Sequence, residues 1–441
     1  MRQRPTVPLT GLRRGADGGW RGPAGGESGE RTELTGPALG VRGALRSPAT
    51  GVTRSVSRPM WLPEHFAQAL PLALFSLVCW GSWSNSAKEA EARQIPFAHF
   101  YIDYVTALFL TALLIWATLG GAQLTAGANE PDGDANAISH YRVLSALAAG
   151  AVFNVANALL VVGINIAGLS VAFPMGIGAA LVVGTILSYF VDTENRPASP
   201  ELLFIGVALG FAAVVAIAVA DRFRQARQGA AEEPLLNEGS KPALESLPGA
   251  GQSGFTTMST MPQLPAAVPS KPSPLVAAAV CLIAGVLMGC WAPLSSYAMN
   301  DVDHDGLNPY STFLLFTFAT LITSVKPSPL AIFLVRAASL LGEPGLASQD
   351  TYYSMGWSQH AWGWLGGSVW ALGTLSNLIA GNTIGVALAY ALGQSAPMVA
   401  TLWGVFFYKE FQGAPNGAWL SLVAMVALYA GACALIALSK S

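Results

Sequence analysis

An acidic residue within an apolar stretch of this sequence could carry a proton. Asp103 lies between Tyr101 and Tyr104 in the run FYIDY, and Lys88 ends the preceding run WGSWSNSAK. An acid inside a membrane span is costly in lipid, so it marks a functional site by default. We therefore predict that Asp103 binds and releases protons, paired with Lys88 across a short link. The alternative is an acid that sits in water at the membrane interface.

Asparagines on one helix face could bind a polar solute. Asn154, Asn157 and Asn165 fall within an arc of roughly 80° when a helix turns about 100° per residue. One asparagine would be an ordinary interhelical hydrogen-bonding group, whereas three on one face indicate a polar cavity. Comparable amide and hydroxyl groups follow in the second half of the chain: Asn377, Asn382, Tyr390 and Gln394.

Indole rings accompany these polar groups. Trp83, Trp291 and Trp403 could stack on flat or sugar-like rings, and Asn85 adds an amide beside Trp83. For Trp83 and Lys88 the alternative is an interfacial aromatic belt with a lysine that reaches the headgroups. A lining of amides, hydroxyls and indoles with few charges suits a small neutral polar solute. It suits an anion poorly, because we find no arginine in mid-span.

The composition requires a membrane to hold these residues. The chain is 52% hydrophobic and only 11% charged, whereas soluble domains are about 25% charged. Apolar runs of roughly 20 residues, the length that crosses a bilayer, recur along it. We predict an all-α, multi-pass membrane protein with ten transmembrane helices: 67–86, 98–119, 141–163, 166–190, 201–221, 274–298, 309–336, 361–381, 383–408 and 416–438.

A long internal repeat relates two of these helices. Residues 163–192 return at 380–409, and a shift of 217 carries Asn165 onto Asn382 and Gly168 onto Gly385. Such repeats are typical of secondary transporters. Five helices in each half is an odd number, which predicts two inverted five-helix repeats. Pro174 predicts a break in the first copy, of the kind that faces protein or a water-filled cavity.

The two repeat-related asparagines admit two functions. Asn165 and Asn382 could act as gates at opposite membrane faces or converge on the substrate. The alternative is that each caps the start of the helix that follows it, because asparagine is a favoured N-cap.

The chain divides into four predicted segments. Residues 1–64 form a disordered, Arg-, Gly- and Pro-rich tail, and residues 222–273 a disordered linker. The tail precedes the first five-helix repeat at 65–221, and the linker separates that repeat from the second one at 274–441. The basic residues Arg222, Arg224 and Arg227 place the linker in the cytosol. We expect the plasma membrane rather than an organelle membrane.

Several other activities find no support in the motifs. GAGQSGFT at 249–256 has Phe255 where a phosphate-binding loop needs lysine. DVDHDG at 301–306 has Thr312 where a calcium loop needs a bidentate glutamate. The four cysteines have no metal-ligand spacing. We expect no cofactor, no metal and no catalytic residue.

The expected partners are the lipid bilayer, a small-molecule substrate and protons. The net charge of -2 argues against nucleic acid. Whether the chain forms a homodimer stays open.

At these residues the chain resembles a known family. WGSWSNSAK, FYIDY, AGLSVAFPMGIGAALVVGTILSYF and YALGQSAPMVATLWGVFFYKEF are similar to the drug/metabolite transporter superfamily. Within it, residues 65–438 resemble the ureide permeases and the bacterial glucose/ribose/rhamnose porters. The resemblance implies proton-coupled import of ureides, nucleobases or sugars, by a symporter without catalytic residues. The alternatives are a drug or metabolite exporter and a non-transporting membrane receptor or scaffold.

Overall fold

The computed structural model describes residues 60–120, 139–167, 169–239, 274–300, 306–324 and 349–440, and these ranges contain helices and turns but no β-strand. The first half contains α1 (Phe66–Ser82), α2 (Ser84–Ala92), α3 (Phe97–Thr118), α4 (His140–Ala167), α5 (Leu169–Val191) and α6 (Pro200–Gly239). The second contains α7 (Pro274–Met299), α8 (Pro309–Ser324), α9 (Gln349–Ser354), α10 (Trp357–Ile384), α11 (Val386–Gly393), α12 (Ala396–Leu402), a π-helix (Trp403–Phe407) and α13 (Asn416–Leu438). The all-helical class is therefore confirmed.

Six helical stretches are long and apolar enough to cross a bilayer: Phe66–Ala92, Phe97–Thr118, His140–Leu160, Pro200–Arg227, Leu275–Met299 and Asn416–Leu438. Each carries an apolar surface that must face lipid or other helices. A shorter apolar helix covers Met175–Val191. The chain is therefore an integral membrane protein that crosses the bilayer several times.

The ends of two pairs of helices follow the sequence repeat. Helices α4 and α10 both contain 28 residues, and the 217-residue shift carries His140 onto Trp357. It also carries Leu169, where α5 begins, onto Val386, where α11 begins. The shift thus matches the bounds of α4 with those of α10 and the start of α5 with that of α11, although α5 has 23 residues and α11 only 8, and the match supports a duplicated unit.

The packing partners are reciprocal between the halves. Helix α4 packs against α7 and α8, while α10 packs against α1 and α3. Helices α6 and α13, which close the two halves, pack against each other. The long helix at the centre of each half therefore contacts the first long helices of the other half, as two copies related by a two-fold axis would.

Neither repeat-related asparagine starts a helix. Asn165 and Asn382 lie two residues before the ends of α4 and α10. The residue that precedes α11 is Gly385, whose φ of 96° favours glycine. The predicted N-cap role of both asparagines is therefore wrong, because each belongs to the last turn of the preceding helix.

The interruption predicted at Pro174 is also wrong. Helix α5 runs from Leu169 to Val191 through Pro174, because a proline removes only one backbone donor and transmembrane helices tolerate that loss. The break lies instead in the second copy. There the predicted span 383–408 divides at Gly385 and again at Gln394 and Ser395 into α11, α12 and the π-helix.

Two predicted boundaries differ from the structure. Helix α6 does not end at residue 221 but continues to Gly239. The side chain of Asp221 accepts hydrogen bonds from Arg224 and Gln225 one turn on. Residues 60–64 contact the bundle: the carbonyl of Trp61 accepts a 2.8 Å hydrogen bond from Tyr310 Oη.

Some predictions fall outside the residues that the structure describes. These are the tail up to residue 59, the linker from 240 to 273 with its glycine-rich motif, residues 301–305 of the acidic turn, and residues 325–336 of the seventh span.

Candidate solute and proton site

Two glycines allow α10 to lie directly on α3. A Cβ at Gly363 would lie 2.4 Å from Cβ of Asp103, and one at Gly367 would lie 2.1 Å from the carbonyl oxygen of Tyr104. Both distances are shorter than any real contact, so only glycine fits at either place. Small residues bring helix backbones together in lipid in this way. The contact places Asp103 and Tyr104 at the interface between the two halves.

Asp103 is a buried acid with two partners from the second half. Its side chain is 2% exposed, Oδ1 accepts a 2.5 Å hydrogen bond from Tyr352 Oη, and Oδ2 lies 2.8 Å from His360 Nδ1. The pKa of Tyr352 is raised well above its usual value, mainly by burial and also by the hydrogen bond to Asp103. The tyrosine therefore stays protonated and donates to the carboxylate.

Lys88 does not pair with Asp103, so the predicted ion pair is wrong. The lysine side chain is 44% exposed, pairs with Glu410 and lies 4.6 Å from the centre of the Tyr408 ring. The short helix α2 turns Lys88 toward the surface, where an ammonium group keeps part of its water. Asp103 faces the other way, into the contact between α3 and α10.

A hydrogen-bonded cluster joins α3, α4 and α8. Tyr101 Oη donates to Asn154 Oδ1 at 2.6 Å, and Asn157 Nδ2 donates to Tyr101 Oη at 3.2 Å. Asn154 Nδ2 lies 2.8 Å from Thr323 Oγ1 and 2.9 Å from Ser324 Oγ. The structure thus brings together three predicted residues and adds two hydroxyls that lay in the least regular predicted span. Nothing is described for the side chain of Asn165.

The hydroxyl of Tyr104 is buried beside this cluster. Tyr104 is 1% exposed, and among the described residues its Oη has no hydrogen-bond partner. Its ring lies 5.2 Å from Trp83, 5.7 Å from Tyr101 and 6.5 Å from Trp370. An unsatisfied buried hydroxyl costs about 1–3 kcal/mol. Tyr104 therefore offers a hydrogen-bonding group that a bound solute could use.

Four aromatic rings from four helices meet around Trp80. The ring of Trp80 on α1 lies 5.9 Å from Trp291 on α7, 6.3 Å from Trp370 on α10 and 6.5 Å from Tyr390 on α11. Sequence analysis named Trp291 and Tyr390 but missed Trp80 and Trp370. Trp80 could have been found, because it lies three residues before Trp83 and so on a neighbouring helix position.

The polar groups of the second half are used within the protein. Asn377 Nδ2 donates to Ser76 Oγ at 2.8 Å and to the Ala389 carbonyl at 2.7 Å. Tyr390 Oη donates to the Ala180 carbonyl at 3.1 Å. These bonds tie α10 to α1 and α11 to α5. Gln394 is buried at the end of α11.

The remaining predicted residues lie away from Tyr104. Trp403 is 39% exposed, donates to Ser82 Oγ and lines an apolar groove of about 330 Å³. Asn85 is half-buried on α2. Asn382 lines a polar pocket of about 200 Å³ with Asp192 and Asn195. Among the described residues, no group of three or more His, Cys, Asp or Glu side chains could hold a metal ion.

Apolar spans around a buried polar and aromatic cluster define a multi-pass membrane protein. The sequence profile of the ureide permease family matches residues 100–234 and 266–439. The chain therefore belongs to the ureide permease family, and it is a membrane transporter.

Curated plant proteins are similar over most of the chain. Ureide permease 1 of Arabidopsis thaliana is 24% identical over 401 residues, which cover 86% of this chain and 99% of that protein. Ureide permease 4 of the same plant is 26% identical over 410 residues with the same coverage. Probable ureide permease A3 of Vigna unguiculata is 33% identical over 149 residues, 32% of this chain and 37% of that protein.

Proposed function

We propose that the chain is a proton-coupled secondary transporter of ureides or nucleobases in the plasma membrane. The observation that carries this proposal is the buried hydroxyl of Tyr104, unpaired among the described residues and enclosed by Trp83 and Trp370. The names of the similar plant proteins support the ureide class.

The chemistry of the cluster supports a flat, neutral ligand. A ureide ring presents N–H donors and C=O acceptors in one plane. Amides supply both kinds of partner, the hydroxyls of Tyr101 and Tyr104 can donate or accept, and the faces of Trp83 and Trp370 can stack on the ring. We propose that the hydroxyl of Tyr104 forms a hydrogen bond with the bound solute.

We propose alternating access between two inverted repeats, residues 65–221 and 274–441, in a ten-span protein joined by the linker 222–273. The reciprocal helix packing supports this arrangement. Rocking of one repeat against the other would open the site first to one face and then to the other. Asn165 and Asn382 lie in the last turns of equivalent helices and would then act at opposite faces. We propose that Asp103, bound across the halves, carries the coupled proton.

Uptake in a transport-deficient host tests the function. Cells that express the chain should accumulate radiolabelled allantoin or uracil above the external concentration, and a protonophore should abolish the accumulation. Glucose serves as the sugar comparison and should not accumulate. Tyr104→Phe keeps the ring and removes the hydroxyl, and it should raise the apparent KM about 5- to 30-fold, the equivalent of one lost hydrogen bond. Accumulation of glucose alone, or export of preloaded allantoin, would overturn the proposal.

A further inference from the structure

His360 lies between the buried carboxylate of Asp103 and the protein surface. It belongs to the first turn of α10, and its side chain is 14% exposed, whereas that of Asp103 is 2% exposed. Its Nδ1 atom is 2.8 Å from Asp103 Oδ2, close enough for direct proton transfer. The second oxygen of the carboxylate is occupied by Tyr352. The imidazole thus contacts the carboxylate on one side and is partly exposed on the other.

We propose that His360 is the proton relay of this transporter, passing protons between water and Asp103. The inference rests on the proposed proton coupling and adds the residue that loads the carboxylate. Nε2 of the imidazole accepts a proton from a hydronium ion, which breaks one O–H bond, forms one N–H bond and leaves a water molecule. Nδ1 releases its proton to Asp103 Oδ2, which breaks one N–H bond and forms one O–H bond. The return step, with the reverse transfers, delivers the proton to water again.

The surroundings of His360 suit a relay. The titratable groups in contact with His360 are Asp103 on α3 and Tyr352 on α9. The ring of Tyr352 in turn contacts His99 and Tyr353. Tyr352 holds Oδ1 and touches the imidazole edge-on, with ring centres 4.8 Å apart. Arg93 is engaged by Glu89 and by the ring of Trp362, 4.5 Å away. The remaining oxygen of the carboxylate is therefore left to the imidazole.

The close approach of α10 to α3 fixes this geometry. Gly363 lies three residues after His360, on the same face of α10, and touches Asp103 where any side chain would collide. The imidazole therefore meets the carboxylate without a long or flexible connection. A histidine that served only to pack α10 would not need a ring nitrogen in contact with the carboxylate. Substitutions can therefore separate a role in proton transfer from a role in packing.

His360→Asn provides that separation. An asparagine side chain can place an N–H donor near the position of Nδ1, but it cannot bind and release a proton at neutral pH. His360→Ala leaves a space that free imidazole can fill. His140→Ala is the matched control, because His140 is an exposed histidine at the start of the repeat-equivalent helix α4.

Infrared spectroscopy after a pH jump, on purified protein in liposomes, tests the relay without any solute. The carboxylic acid C=O band that disappears in Asp103→Asn reports protonation of Asp103. Its rise should slow about 100-fold in His360→Asn, stay as in wild type in His140→Ala, and recover in His360→Ala when imidazole is added. A wild-type rate in His360→Asn, or no effect of imidazole on His360→Ala, would overturn the proposal.

Transport readouts separate this inference from the proposed function. In proteoliposomes with a trapped pH dye, allantoin-driven proton influx should fall in His360→Asn, while exchange of allantoin across the membrane at equal pH persists. Absence of any allantoin or uracil movement by wild type would reject the proposed function, and the infrared rates would still decide the relay.

Discussion

Oδ2 of Asp192 accepts the backbone N–H of Val386 at 2.9 Å. Asp192 follows α5 in the first half of the chain, and Val386 is the first residue of α11 in the second half, so this hydrogen bond joins the two halves. Asn195 reinforces this contact, because its Nδ2 donates to the carbonyl of Asn382 at 3.3 Å. The arrangement is a capping interaction in trans, in which an acid from one half satisfies the free amide at the start of a helix in the other.

Removal of this acid should loosen the contact between the halves. Asp192→Ala loses the acceptor and the negative charge at the start of α11, and it should lower the free energy of unfolding by about 1–2 kcal/mol. Asp192→Asn is the comparison variant: its one amide oxygen can keep the bond from Val386, while the charge and the bond that Oδ1 accepts from the Asn195 N–H at 3.0 Å are lost, at a cost of about 1 kcal/mol. Thermal unfolding in detergent measures both. Equal losses in the two variants would mean that the bond to Val386 contributes nothing measurable and would contradict the capping account.

Gly385 should resist substitution for two separable reasons. Its φ is 96°, and a Cβ there would lie 2.5 Å from the Asn195 carbonyl oxygen. Gly413 has a φ of 74° but nothing within 4 Å of its Cβ position. Gly413→Ala should therefore lose about 1 kcal/mol from backbone strain alone. Gly385→Ala should lose more, because the collision adds to the strain, and similar melting temperatures for the two variants would contradict this account.

The parts of the site that sequence reasoning reached are those that one helix determines. Asn154 and Asn157 share a face by spacing alone, and a face rich in amides attracts hydroxyls such as that of Tyr101. The partner of Asp103 was missed because His360 is 257 residues away. Proximity along the chain suggested Lys88 instead, although α2 turns that residue outward. Whether Lys88 or His360 contacts the buried acid depends on how helices that are far apart in the sequence pack together.

The site of the helix break was misjudged for a local reason. Proline often breaks a helix, but α5 continues through Pro174 although one backbone N–H donor is missing there. The interruption at Gly385 needs a positive φ and contact with Asn195 from the other half. That contact has no signature near Gly385 in the sequence. The shift of 217 residues nevertheless located the equivalent helix ends in both copies.

Lys440 should make stability depend on alkaline pH. Burial, partly offset by Asp192, lowers the pKa of Lys440 from its usual value of 10.5, and its Nζ donates to the Asn195 carbonyl at 3.1 Å. The folded state thus disfavours the charged amine. The resulting cost is fully present below the lowered pKa and disappears as the pH rises to 10.5, so stability should increase across that window. Lys440→Met should flatten the rise in melting temperature relative to wild type, and an unchanged slope would contradict the assignment.

Removal of the tyrosine hydroxyl should have opposite effects on stability at Tyr101 and at Tyr429. Tyr101 Oη bridges Asn154 and Asn157, whereas Tyr429 Oη on α13 is buried without a partner among the described residues. Tyr101→Phe strands two amides, and it should cost about 1–3 kcal/mol of stability or of apparent solute affinity. Tyr429→Phe removes an unsatisfied group and should leave uptake unchanged and melting equal to or above that of wild type. Allantoin uptake kinetics and detergent melting separate the effects: a changed KM with normal melting places Tyr101 at the solute, and a lowered melting temperature with normal KM makes it a structural bridge.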